Sequence, residues 1–142
     1  MKTKKAAAEW YIAFTNYLTF GVINGLVFVV LLFLVAFINL NPNIFILLMY
    51  LIFPFTTWLG VQYSANYIHK TYIINNKAKV VNLSAIYSII IALIFICFSA
   101  FNNKMELNTK IFSIAFGVAY SALIIWIFYS ASKKYIKNSS EL

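Results

Sequence analysis

Arginine and aspartate are both absent from this 142-residue chain, and its only acids are Glu9, Glu106 and Glu141. So few carboxylates leave no pair for general acid–base chemistry, and the topology derived below sets Glu9 and Glu106 on opposite sides. One histidine, His69, and one cysteine, Cys97, exclude an internal disulfide and a metal-ligand spacing, and His69 at a span boundary is out of plausible reach of Cys97 inside an apolar run for a Cys/His nucleophile couple. None of the four glycines sits in a phosphate-cradling loop. The expectation is a protein that is not an enzyme and has no catalytic residues, no metal site and no cofactor. Charged residues are also scarce, at 10% against roughly 25% in a soluble domain.

Apolar residues are abundant instead, making up 63% of the chain. They fall into runs long enough to cross a bilayer core of about 30 Å at 1.5 Å per residue. The pattern predicts spans at about 20–40, 44–66, 83–101 and 109–130. An amphipathic interfacial helix at 3–17 precedes them, with Trp10, Ala13, Phe14 and Tyr17 at helical spacing, and a polar cytoplasmic tail at 131–142 follows. Asn39, Asn41, Pro42 and Asn43 form one short turn, and Asn102 to Asn108 a second. Connections this short return the chain antiparallel. The predicted fold is all-α: a single integral membrane domain built as a four-transmembrane-helix bundle of two antiparallel hairpins.

The net charge of +8 is carried by lysine alone, and its distribution is topological. Lys2, Lys4 and Lys5 precede the first span, Lys70, Lys77 and Lys79 lie between the second and third, and Lys133, Lys134 and Lys137 follow the fourth. Only Lys104 and Lys110 fall on the other side. This bias places both termini and the middle connection in the cytoplasm, in a cell membrane, with the lysines facing anionic head groups and no role for nucleic acid.

Small residues recur four apart in every span, as Gly21/Gly25, Thr56/Gly60/Ser64, Ser84/Ser88/Ala92 and Thr109/Ser113/Gly117/Ser121. Such rows let helix backbones approach, so they read as packing seams within one bundle or between copies of it. Pro54 stands inside the second span, where it cannot donate to the Tyr50 carbonyl, and is a candidate hinge. Polar groups concentrate in the cytoplasmic half of the spans. Asn24, Gln62, Ser64, Asn66, Ser84, Ser88 and Ser121 make a candidate cluster that forms either a hydrogen-bonded plug or a vestibule. Residues 55–68 align with 112–125 at seven of fourteen positions, among them Gly60/Gly117, Tyr63/Tyr120 and Ser64/Ser121. A duplicated hairpin would give that match.

The stretches Gly21-Val22-Ile23-Asn24 and Ser132-Lys133-Lys134-Tyr135 resemble GtrA-like proteins, although Asn66 is followed here by Tyr67 and Ile68 instead of basic residues. That resemblance implies a small four-span protein moving polyprenyl-linked sugars. Taken alone, the residues point first to a non-catalytic subunit, a homo-oligomer or a partner in a membrane complex. A small transporter working through the inner polar cluster is the alternative, and a holin-like pore comes third.

Overall fold

The computed structural model describes residues 4–38, 41–101 and 107–141. Four helices account for most of it: α1 (Glu9–Ile38), α2 (Pro42–Thr71), α3 (Lys77–Ala100) and α4 (Leu107–Tyr135). Each is long and apolar enough to cross a membrane. Helix α1 packs on α2 and α3, and α4 packs on the same two, so the helices surround a central axis.

All four helices extend past the apolar runs that predicted them. The expected interfacial helix at 3–17 is not a separate element. Residues 9 to 38 form one uninterrupted helix, because no glycine or proline lies between Tyr17 and Phe20 to break it. Before it, Lys5–Ala6 is a short strand, β1, paired in parallel with β2 (Tyr72–Ile73), with Lys5 opposite Tyr72 and Ala6 opposite Ile73. Helix α2 opens with Pro42 in its first turn, where its missing N–H costs nothing. Asn76 caps α3, its Oδ1 accepting from the Lys79 N–H at 3.0 Å. Asn39, Lys2 and most of the second predicted turn, residues 102–106, lie outside the described residues.

Packing is concentrated at one end of the bundle. Among the described residues, every buried side chain falls within 12–24, 57–74, 80–88 or 128–136. One core joins Ile12, Ala13, Ala65, Ile68, Ile74, Val80 and Ile136. A second joins Phe20, Val61, Phe128 and Ala131. At the other end the large apolar side chains lie open, with Phe37 84% and Phe101 81% exposed.

The polar tail expected at 131–142 begins as the last turns of α4, to Tyr135, and the segment after it closes the packed end. Ile136 is fully buried. The Ser139 N–H donates to the Ile74 carbonyl at 2.9 Å, and the Ser139 hydroxyl accepts from the Ile74 N–H at 2.8 Å. Asn138 Oδ1 accepts from the Lys77 N–H at 2.8 Å, satisfying one of the orphan donors at the start of α3. His69 Nε2 accepts from the Lys137 N–H at 3.0 Å. The N-terminal strand, the α2–α3 connection and the last residues thus form one cap.

Candidate functional site

At the bundle axis beneath the cap sits Asn16, fully buried. Its Oδ1 accepts from the Ser64 hydroxyl at 2.7 Å, and Ser64 Oγ also lies 2.9 Å from the Asn16 carbonyl oxygen. Its amide nitrogen donates to Ser84 Oγ at 3.2 Å and to Ser132 Oγ at 3.5 Å. Ser84 in turn donates to the Ala13 carbonyl at 3.3 Å, and Ser88 to the Ser84 carbonyl at 3.3 Å. One residue from each helix therefore meets at a single amide, and Ser64, Ser84 and Ser132 are fully buried with it.

Of the predicted polar cluster, Ser64 and Ser84 belong to this knot. Neither Asn16 nor Ser132 was singled out from the sequence, since both fall outside the expected spans. The signal was there: residues 9, 12, 13, 16 and 20 follow a helical spacing that places Asn16 on the same stripe as Ile12, Ala13 and Phe20. Gln62 and Asn66 do not join. Asn66 is exposed and Gln62 only partly covered, because they share the outward face of α2 while Val61, Ser64, Ala65 and Ile68 point to the core.

An aromatic layer separates the knot from the rest of the axis. Tyr17, Phe20 and Phe128 meet there, with Phe20 and Phe128 4.8 Å apart between ring centres. Beyond the layer, all four helices line a cavity of about 460 Å³. Gly21, Asn24 and Gly25 contribute from α1 and Thr57 from α2. Ser88 and Ala92 line it from α3, and Ser121 from α4. Phe28 and Phe95, also in the lining, are exposed and form its open rim.

This changes the meaning of the small-residue rows. A Cβ placed at Gly21, Gly25 or Gly117 would meet nothing within 4 Å, so within the chain these glycines are not points of close helix approach. Of the four glycines only Gly60 behaves as a seam residue, with the Phe20 ring 3.4 Å from such a Cβ. Ser64 and Ser84 also sit at interhelical contacts, and Ala13, Ala65 and Ala131 are fully buried at the packed end. Gly21, Gly25, Ser88, Ala92 and Ser121 leave the volume of the cavity by lacking side chains to fill it. Ser113 and Thr109 continue the α4 row toward the open end, with Thr109 exposed and Ser113 only partly covered.

Two polar groups at the cavity stand out. Asn24 is 7% exposed, and its Oδ1 accepts from the Thr56 hydroxyl at 2.6 Å. Its amide nitrogen donates to no group among the described residues. Thr57 is fully buried and its Oγ1 has no partner among them either. Buried polar groups are nearly always satisfied, so the Thr57 hydroxyl calls for an explanation.

Pro54 lies within an unbroken α2. The carbonyl it leaves orphaned, that of Tyr50, receives a bond from the Tyr120 hydroxyl at 3.4 Å, and the Tyr50 and Tyr120 rings pack edge to face at 4.8 Å. The proline is thus tied to α4 by a neighbour's hydroxyl. The apparent repeat also fails to bring like to like. Ser64 binds Asn16 while its aligned Ser121 lines the cavity, and Asn16's other serine on that side of the bundle is Ser132.

At the boundary of the packed end, the Trp58 Nε1–H donates to the Tyr135 hydroxyl at 3.0 Å, and the Lys134 ammonium stands 5.1 Å from the centre of the indole ring. Among the described residues no group of three His, Cys, Asp or Glu side chains could hold a metal ion. No protein-family model matches the chain, and no curated protein and no solved structure is similar to it.

Proposed function

We propose that this chain is a multi-pass integral membrane protein that carries out no catalysis and receives a small uncharged ligand in its central cavity, as a transporter of the smallest kind does. Its spans form two antiparallel hairpins, with both termini and the α2–α3 connection on the cytoplasmic side of the cell membrane. Support for the hairpin comes from register: Asn16 pairs with Ser64 and Asn24 with Thr56, so numbers rise along α1 as they fall along α2. Support for the orientation comes from the eight described lysines at the capped end, Lys4, Lys5, Lys70, Lys77, Lys79, Lys133, Lys134 and Lys137. The cation–aromatic group of Lys134, Trp58 and Tyr135 belongs at a head-group boundary.

The observation that carries the reading is the fully buried Thr57 hydroxyl, without a partner among the described residues, set beside Asn24 in a cavity built from small residues on several helices. The Asn16 knot and the aromatic layer close the cap side of that cavity, which argues against a holin-like pore and for a site entered from the bilayer or the far end. Native mass spectrometry of protein extracted in mild detergent tests it. The wild type is expected to carry a bound small molecule that Gly25→Phe, which fills the cavity, has lost; equal adducts on both proteins would refute the reading.

A second reading, an oligomeric or accessory subunit, is favoured by a different surface. On the outside of the bundle, Leu18, Val22, Leu26, Leu59 and Tyr63 line an apolar groove of about 710 Å³ between α1 and α2, shaped to take a helix from a second copy. Leu26→Cys in a Cys97→Ala background is expected to crosslink between copies in native membranes. Recovery of uncrosslinked chain alone would dismiss this reading.

A further inference from the structure

The chemistry around the central cavity narrows what it holds, an inference that rests on its being a ligand site as proposed above. Size comes first. A cavity of about 150 Å³ accommodates benzene, so about 460 Å³ accommodates roughly three times as many heavy atoms, on the order of 18. That is one alkyl chain with a small head, and too little for a two-chain lipid.

Charge comes second. No acidic or basic side chain is among the residues lining the cavity, so an ionised head would be buried without a counter-charge. Hydrogen bonding comes third. With its Oδ1 engaged by Thr56, Asn24 presents an N–H donor. Ser88 gives its own proton to the Ser84 carbonyl and so presents an acceptor, and Thr57 contributes a hydroxyl without a partner. A hydroxyl is the smallest uncharged head that can both accept from one wall and donate to another.

We propose that the cavity binds an uncharged single-chain lipid alcohol. Its hydroxyl sits between Asn24 and Ser88, within reach of Thr57, and its chain runs out past Phe28 and Phe95. Helix α1 places this head group midway along its length, 15 residues after Glu9 and 14 before Ile38. Between the apolar walls a lone hydroxyl finds few other hydrogen-bonding groups, and these polar side chains are its natural partners.

The test uses the full chain in phosphatidylcholine nanodiscs with a hexadecanol analogue carrying a photoreactive diazirine in its chain. Labelled peptides are mapped by mass spectrometry, and unlabelled hexadecanol, hexadecane and hexadecyl phosphate compete. Saturable labelling of the cavity wall is expected, displaced by hexadecanol about five- to tenfold more effectively than by the alkane or the phosphate, the worth of about one hydrogen bond. Asn24→Leu is expected to erase that preference. Thr57→Val, which keeps the side-chain shape, reduces it and serves in the same way if the first variant fails to fold. If hexadecane or hexadecyl phosphate competes as well as the alcohol, the alcohol assignment is wrong while the cavity stands as a ligand site. If Gly25→Phe leaves the labelling unchanged, or the wild type shows none that saturates, both the assignment and the ligand site fall.

Discussion

Asn16 makes bonds to three helices with a four-atom side-chain head, and its energetic role follows from what its loss would strand. Replacing it by leucine leaves the Ser64, Ser84 and Ser132 hydroxyls buried with fewer partners, and an unsatisfied buried polar group costs about 1–3 kcal/mol. Asn16→Leu is therefore expected to lower stability by on the order of 2–3 kcal/mol in a denaturation series in mixed micelles, whereas Gln62→Leu, off the network, leaves it within about 0.5 kcal/mol. Equal losses from both substitutions would contradict this assignment. The contrast shows what hydropathy can and cannot reveal at this scale. The richness in amides and hydroxyls was plain, and Ser64, Ser84 and Ser88 were picked out by depth. Which amide faces inward depends on the rotation of each helix about its own axis, and Gln62 and Asn66 are turned away by the same stripe that buries Val61, Ala65 and Ile68.

At the scale of elements, four long apolar helices were legible because a run of some 20 apolar residues has few other fates. Their ends were not, because beyond Asn66 and Ser130 the helices continue by packing against one another, which mean polarity does not report. Pro54 shows the same divide. Its orphaned carbonyl was predictable, but the Tyr120 hydroxyl that meets it comes from a helix 70 residues away. A double-mutant cycle tests the link. Tyr120→Phe is expected to cost about 1 kcal/mol in the native background and close to nothing in Pro54→Ala, where an alanine N–H serves the Tyr50 carbonyl instead. Additive losses would show that the two residues act separately. The glycine rows were also visible as elements of pattern. Within the chain Gly60 is a close-contact position, while Gly21 and Gly25 line space where the helices stay apart.

For the molecule as a whole, burial is uneven. One end is a capped, hydrogen-bonded fold and the other an apolar surface suited to lipid. The cap contains a titratable bond: His69 accepts from the Lys137 N–H through Nε2, which only the neutral ring can do. Burial first, and then the positive charge of Lys4 and Lys137 beside it, hold the His69 pKa below its ordinary value. The stability this bond contributes is thus present above the histidine range near pH 6.5 and is lost as pH falls through protonation. Thermal unfolding in detergent is expected to show a midpoint lower at pH 5.5 than at pH 7.5, with His69→Leu flattening the difference. An unchanged pH dependence in that variant would rule the histidine out as its cause.

The three residues Tyr72, Ile73 and Ile74 hold both ends of the chain, β1 through Lys5 and Ala6 and the final turn through Ser139. Synthesis delivers these partners at different times. Ile74 leaves the ribosome 65 residues ahead of Ser139, an interval of roughly 3–13 s at 5–20 residues per second. The strand pair can therefore form early, while the other half of the cap waits for Ser139 to emerge. The four helices are thus made before the cap can close, and the nascent protein passes through an interval in which the central cavity and the cap over it are both incomplete.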